Sequence, residues 1–264
     1  MSLHAPTVLA IVYFKVESMH SSSRRLHLFC PLLAVAMAVF LAACGGGGGS
    51  NTPSTNPITG ILGGVAAVGA PIVDGSIRII CASGSVVDTK TGIAGAWQIG
   101  LREQSLPCAV QVSGGTIDGM PNPAYYHSVA TARGNANVTP LTDLMVANLI
   151  GSATPNIWFS GLAASRASVA VVNPELVTAT WLKLCVALPE LTELARIHPI
   201  ATSFEATPGN SSDDLLAALQ TAIGSTGITH AHLLSYASVP SFAAPPANFS
   251  AALRQAYVNL TAAN

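Results

Sequence analysis

Apolar side chains fall into two patterns along this chain. Over residues 58–137 they come in short runs broken by Gly, Pro, Ser and Asn, whereas beyond Asn137 they recur every three or four residues. Five runs carry the first pattern: 58–73 (ITGILGGVAAVGAPIV), 76–83 (SIRIICAS), 94–101 (AGAWQIGL), 108–115 (CAVQVSGG) and 125–132 (YYHSVATA). Runs of this length bounded by turn residues predict β-strands. Ile77, Ile79 and Cys81 share one face of the second run, although Ile80 breaks the strict period of two, and Trp97 and Ile99 share a face of the third. Gly75, Gly84, Gly92 and Gly95 stand where hairpins must reverse. Short strands at this spacing predict an antiparallel β-sandwich over residues 58–138.

The period changes at Asn137-Val138-Thr139-Pro140, where Thr139 suits an N-cap and Pro140 the first helical position before LTDLMVANLIG. Further helix starts are expected at Asn173-Pro174-Glu175 and at Ser212-Asp213-Asp214, whose carboxylates favour the positive end of the helix dipole. The second of these runs through LLAALQTAI and is expected to stop at Gly224, and FSAALRQAYVNL closes the chain as an amphipathic helix. Residues 139–264 therefore read as a small helical domain packed on itself or on the strands, and the fold class as α+β.

Ahead of both lies a different segment. The basic pair Arg24-Arg25 precedes an apolar run from Phe29 to Ala43, interrupted only by Pro31 and ending Leu41-Ala42-Ala43-Cys44. That order is the order of a signal peptide, residues 1–43. The run of about 15 residues is shorter than the ~20 that a bilayer-spanning helix needs. A second apolar patch, Val8 to Phe14, lies upstream of the basic pair, so translation is expected to start at Met19. Leu41-Ala42-Ala43-Cys44 resembles the bacterial lipobox. The resemblance implies a diacylglycerol thioether on Cys44, cleavage before it by signal peptidase II, acylation of the new amino group and attachment to the lipid bilayer through these chains. Two or more acyl chains make such attachment effectively permanent. In the lipoproteins this segment resembles, a residue other than Asp after the lipidated cysteine directs the protein to the outer membrane, and Gly45 is such a residue. Residues 45–57 (GGGGGSNTPSTNP) hold no large apolar side chain and read as a flexible tether of ~20 Å, so residues 44–57 form the lipidated cysteine and linker.

Composition narrows the function classes. Half of the residues are hydrophobic, yet only 9% are charged against roughly 25% in an average soluble domain, so the surface must be polar and uncharged. Without Lys15, Arg24, Arg25 and Glu17 of the signal, 8 basic and 11 acidic side chains remain, a net charge of −3. The basic residues stand singly, which excludes a nucleic-acid face and a polybasic membrane stripe.

The stretch GAPIVDGSIRIICASGSVVDTKTGIAGAWQIGL, residues 69–101, resembles the carboxypeptidase regulatory-like domain: Pro71 to Gly75 serves as its Pro-led turn, and Gly95-Ala96-Trp97 as its Gly-x-aromatic. The continuation LPCAVQVSGG, HSVA and NVTPLTDLMVANLIG is similar to uncharacterised proteobacterial lipoproteins of the same layout. The resemblance covers about residues 58–151. It implies a seven-stranded, transthyretin/Ig-like sandwich that serves as a structural or binding appendage without catalysis.

Cys30 lies in the signal and Cys44 takes lipid, leaving Cys81, Cys108 and Cys185. Two cysteines at strand positions in an oxidising compartment predict a Cys81–Cys108 disulfide, worth ~3 kcal/mol for its loop of about 27 residues. Cys185, inside LVTATWLKLCVAL, reads as an apolar filler.

Few constellations carry chemistry. His230-Ala231-His232 on a strand would aim two imidazoles the same way, with His198, Glu205, Asp213 or Asp214 approaching in space, but the expected reading is ordinary surface or capping histidines and no metal. Neither Gly-x-Ser-x-Gly nor Ser-x-x-Lys occurs, and Ser128 beside His127 falls on the opposite strand face. Asp143 has a stabilising role available in the first turn of its helix. The aromatics Trp97, Trp158, Trp181, Tyr125 and Tyr126 are expected to pack in the core; if any form an exposed binding surface, the candidate is the adjacent pair Tyr125-Tyr126 after MPNPA, since neighbouring strand residues cannot both face one core. The reading is a non-enzymatic envelope lipoprotein without cofactor, acting in binding, adhesion or envelope structure at the membrane surface, with an envelope protein or glycan as the partner class to consider. The alternative is a hydrolase-like envelope enzyme with its site in the helical half.

Overall fold

The computed structural model describes residues 60–263. The signal, Cys44, the tether and the start at Met19 lie outside the described residues.

The strands form where the apolar runs predict them, with additions. β1 (Gly60–Val65), β2 (Ser76–Ser83), β3 (Val87–Lys90), β4 (Ala96–Leu101), β5 (Ser105–Ser113), β6 (Thr116–Ile117), β7 (Met120–Pro121), β8 (Tyr125–Ala130) and β9 (Gly134–Asn135) follow in order. Three sheets result, with strand orders β4-β1-β9, β3-β2-β5-β8 and β6-β7. Pairing is antiparallel except for β1 with β9, which run parallel. Ile77, Ile79 and Cys81 are buried on one face of β2. Ile80 departs from the alternation because its face is covered too: it packs with Ala109, Phe159, Leu162 and Val169 in a second, smaller cluster. Gly95 takes a φ of 71°, a left-handed conformation that favours glycine, in the turn leading into β4.

Helices take over at Thr139, whose hydroxyl accepts from the Thr142 amide while the Thr142 hydroxyl accepts from the Thr139 amide, a reciprocal cap on α1 (Pro140–Ile150). Then come α2 (Pro155–Gly161), α3 (Ala167–Ala170), α4 (Pro174–Ala187) capped by Asn173, a 3-10 turn (Thr192–Ala195), α5 (Ser211–Thr226), α6 (His230–Ala237) and α7 (Ala247–Ala263). α5 starts one residue earlier than expected because the Asn210 side chain caps it, and it runs past Gly224 to Gly227, whose left-handed φ of 73° ends it. The described chain is thus α+β, with seven α-helices among the described residues. A single core runs across the boundary at residue 138, joining Leu62, Ile77 and Val110 of the strands to Leu144, Leu219 and Phe249 of the helices. α1 packs along β8, the edge strand of the four-stranded sheet, and α2 and α3 lie on the same sheet.

Candidate functional site

Five elements bring together polar side chains that are far apart in sequence. β5 and β8 pair so that Gln111 stands opposite His127. The reciprocal cap sets Asp143 in the first turn of α1, and Thr142 Oγ1 donates to the His127 carbonyl at 2.7 Å, fixing that turn against β8. α6 begins with His230. Asp143 Oδ1 lies 2.7 Å from His127 Nδ1, and Asp143 Oδ2 lies 2.8 Å from His230 Nε2. Gln111 Nε2 donates to His127 Nε2 at 2.8 Å and to Asn156 Oδ1 at 3.0 Å. His127 Nε2 is therefore an acceptor, and its ring proton sits on Nδ1, where it is donated to Asp143. His127 and Asp143 are each 1% exposed, while the His230 side chain is 22% exposed.

Burial alone would push the Asp143 carboxyl up. The hydrogen bonds from His127 and His230 outweigh it and hold the group below the usual carboxylate range. The edge of Tyr126 meets the His230 ring at 5.6 Å between centroids. Burial, and next the Asp143 charge, push the Tyr126 phenol up to about 12.

A general base needs a basic atom within reach of a substrate. Here both ring nitrogens of His127 and both oxygens of Asp143 are engaged within the protein, and His230 Nδ1 is buried without a hydrogen-bond partner among the described residues. The cluster clamps β5, β8, α1, α2 and α6 together. Among the described residues, no group of three His, Cys, Asp or Glu side chains is arranged to hold a metal.

His230 and His232 do not share a direction, because they open a helix rather than lie on a strand. His230 reaches Asp143, while His232 Nδ1 accepts from the Thr229 amide at 3.1 Å and completes the cap of α6. His198 sits apart, its ring 5.1 Å from Trp181 and its Nδ1 accepting from the amides of Ile200 and Ala201, and Glu205 is exposed elsewhere. Asp143 does more than complement a helix dipole: it is the buried centre of the cluster. Ser128 is fully buried. Cys81 and Cys108 form a disulfide between paired positions of β2 and β5. Cys185 is half-buried in α4 outside any disulfide, and burial raises its thiol. Gln111 and Asn156 escaped the sequence reading. The available signal was a glutamine in the middle of the apolar run CAVQVS.

Tyr125 and Tyr126 point apart. Tyr125 is 48% exposed, whereas Tyr126 is 8% exposed and lines a cavity of about 450 Å³ with Val68, Ala70, Ile117, Asp118 and Gln220. Ala217 of α5 belongs to the same wall, and Gly69 lies so close to it that a Cβ there would come 2.5 Å from the Ala217 Cα. Asp213, one turn ahead of Ala217 on the same helix face, is 2% exposed and its Oδ1 has no hydrogen-bond partner among the described residues. Burial, then Asp214 and Asp118, push its carboxyl up to about 6. No family model, curated protein or solved structure matches the chain.

Proposed function

We propose that this chain is a lipid-anchored protein of the bacterial envelope that acts by binding, without catalysis. The observation that carries the reading is the contrast between its two polar sites. The side chains best suited to acid–base chemistry are buried around Asp143, with both ring nitrogens of His127 and both carboxylate oxygens engaged, whereas the cavity at Tyr126 has the volume of a small-molecule site. The anchor rests on Leu41-Ala42-Ala43-Cys44, and Gly45 supports the outer membrane as its destination. Sheets of three and four strands that send Leu62, Leu101, Ile77 and Val110 into one core support a transthyretin-like sandwich of the carboxypeptidase regulatory-like kind.

Metabolic labelling with a palmitate analogue, followed by membrane fractionation, tests the anchor. Wild type is expected to carry label and sediment with membranes, and Cys44→Ala to lose both. Equal behaviour of the two chains overturns the lipid reading. One observation favours a hydrolase-like alternative, namely that the partly exposed His230 is backed by Asp143 as a general base would be. A folded His230→Phe chain that loses hydrolysis of p-nitrophenyl acetate shown by wild type would establish it.

A further inference from the structure

The cavity beside Tyr126 carries a sign of charge. Its walls come from the β1–β2 connection at Val68 to Ala70, the β6–β7 hairpin and the residues after it, Tyr126 of β8, and Ala217 and Gln220 of α5. Among the described residues, Asp118, in the tip of that hairpin, is the one ionisable side chain other than Tyr126 on this wall, and no Lys or Arg lines it. Asp213 stands one turn further along the α5 face that forms the wall, buried with a carboxylate oxygen that nothing among the described residues satisfies. Behind Tyr126 lies the ionised Asp143, close enough for its charge to act on the phenol. A buried carboxylate lacking a partner costs stability unless something of opposite charge or donor character reaches it.

The apolar wall is aliphatic, formed by Val68, Ala70, Ile117 and Ala124. The rim is fixed: Asn122 donates to the carbonyls of Gly114 and Ala124 and accepts from the Ala124 amide. Asn122 is thereby committed to holding the loop. We propose that this cavity binds a small organic cation, a protonated amine on a short aliphatic body, with Asp118 facing the ammonium, the buried Asp213 one turn behind the α5 wall, and the aliphatic wall receiving the chain. The assignment rests on the binding role proposed above and names its ligand class.

Three probes of matched size separate the possibilities: n-butylammonium, n-butanol and butyrate, titrated into the full chain in non-ionic detergent and followed by NMR shifts and calorimetry. n-Butylammonium is expected to saturate one site, with n-butanol and butyrate at least tenfold weaker. Asp118→Asn should weaken the amine tenfold or more. Asn tolerates the positive φ of 50° found at Asp118, so the turn survives the change. Gln220→Lys, on a half-exposed position of α5, should abolish amine binding by placing a cation in the wall while the thermal midpoint stays at the wild-type value. Amine binding that matches n-butanol, or that is unchanged in Asp118→Asn, overturns the charge assignment. If n-butanol or butyrate binds and the amine does not, the cavity is a binding site of another class: the binding reading stands and the cation falls. Absence of binding by all three removes both.

Discussion

Residues 60–138 close on themselves through neighbouring ladders, β2 on β5 and β5 on β8, with the Cys81–Cys108 disulfide across the first pair. Residues 139–263 lack such ladders and are held through buried polar side chains that reach across long stretches of chain. Asn137, at the junction, donates to the carbonyls of Pro199 and Thr202 and accepts from the Val65 amide. Asn148 of α1 donates to the carbonyls of Ala237 and Val239 and accepts from Lys183 Nζ. Asp143 ties α1 to both β8 and α6. A charge-poor chain thus stabilises strands by local pairing and covalent closure, and places its helices with a few fully enclosed polar groups whose loss would leave partners stranded.

The sharpest break in that comparison is Asp143→Ala. It strands His127 and His230 together, so a loss of about 3–5 kcal/mol in urea unfolding at pH 7 is expected. Because the folded carboxyl titrates below its unfolded value, this stabilisation is complete at neutral pH and disappears as pH falls through the folded value, below the usual carboxylate range. A loss under about 1 kcal/mol would show that the clamp does not hold the helices. Replacing Cys81 and Cys108 together by Ala should cost roughly 2–4 kcal/mol, with amide exchange rising in β2 and β5 before α5 and α7. Uniform exchange would mean that the two halves open as one unit.

Asn148→Ala should cost about 1–3 kcal/mol, since two carbonyls and an ammonium lose their partner, and calorimetry against wild type measures it. Asp213→Asn is the smallest and has the opposite sign. The Asp213 carboxyl is raised in the folded state, so its contribution is present at acid pH and lost as pH rises through about 6. The variant should gain roughly 1–2 kcal/mol at pH 7.5, shrinking towards zero near the unfolded carboxylate value, as thermal midpoints across that range would report.

What was legible in the sequence was local. SIRIICAS is β2 residue for residue, and Thr139-Pro140 marks the start of α1, because alternation and capping act within a few positions. β6, β7 and β9 are two residues each and exist through their partners, so no run of their own announces them. His230-Ala231-His232 misleads as a strand pair because the deciding group, Thr229, stands just before it and caps a helix. His127, Asp143 and His230 were each visible as polar residues worth weighing. Their meeting was not, since it spans 16 and 87 positions and depends on α1 lying against β8 and on the place of α6. Gln111 was hidden by an apolar strand whose second face is also covered.

The place of β1 has a mechanical consequence. The chain enters the described body at Gly60, directly into a strand flanked by β4 on one side and β9 on the other. Tension arriving through the residues ahead of Gly60 along the axis of β1 must make it slip against both neighbours at once, loading the six paired positions shared with β4 in shear. An edge strand under the same pull would slip against a single neighbour. The body therefore resists being drawn out from its Gly60 end.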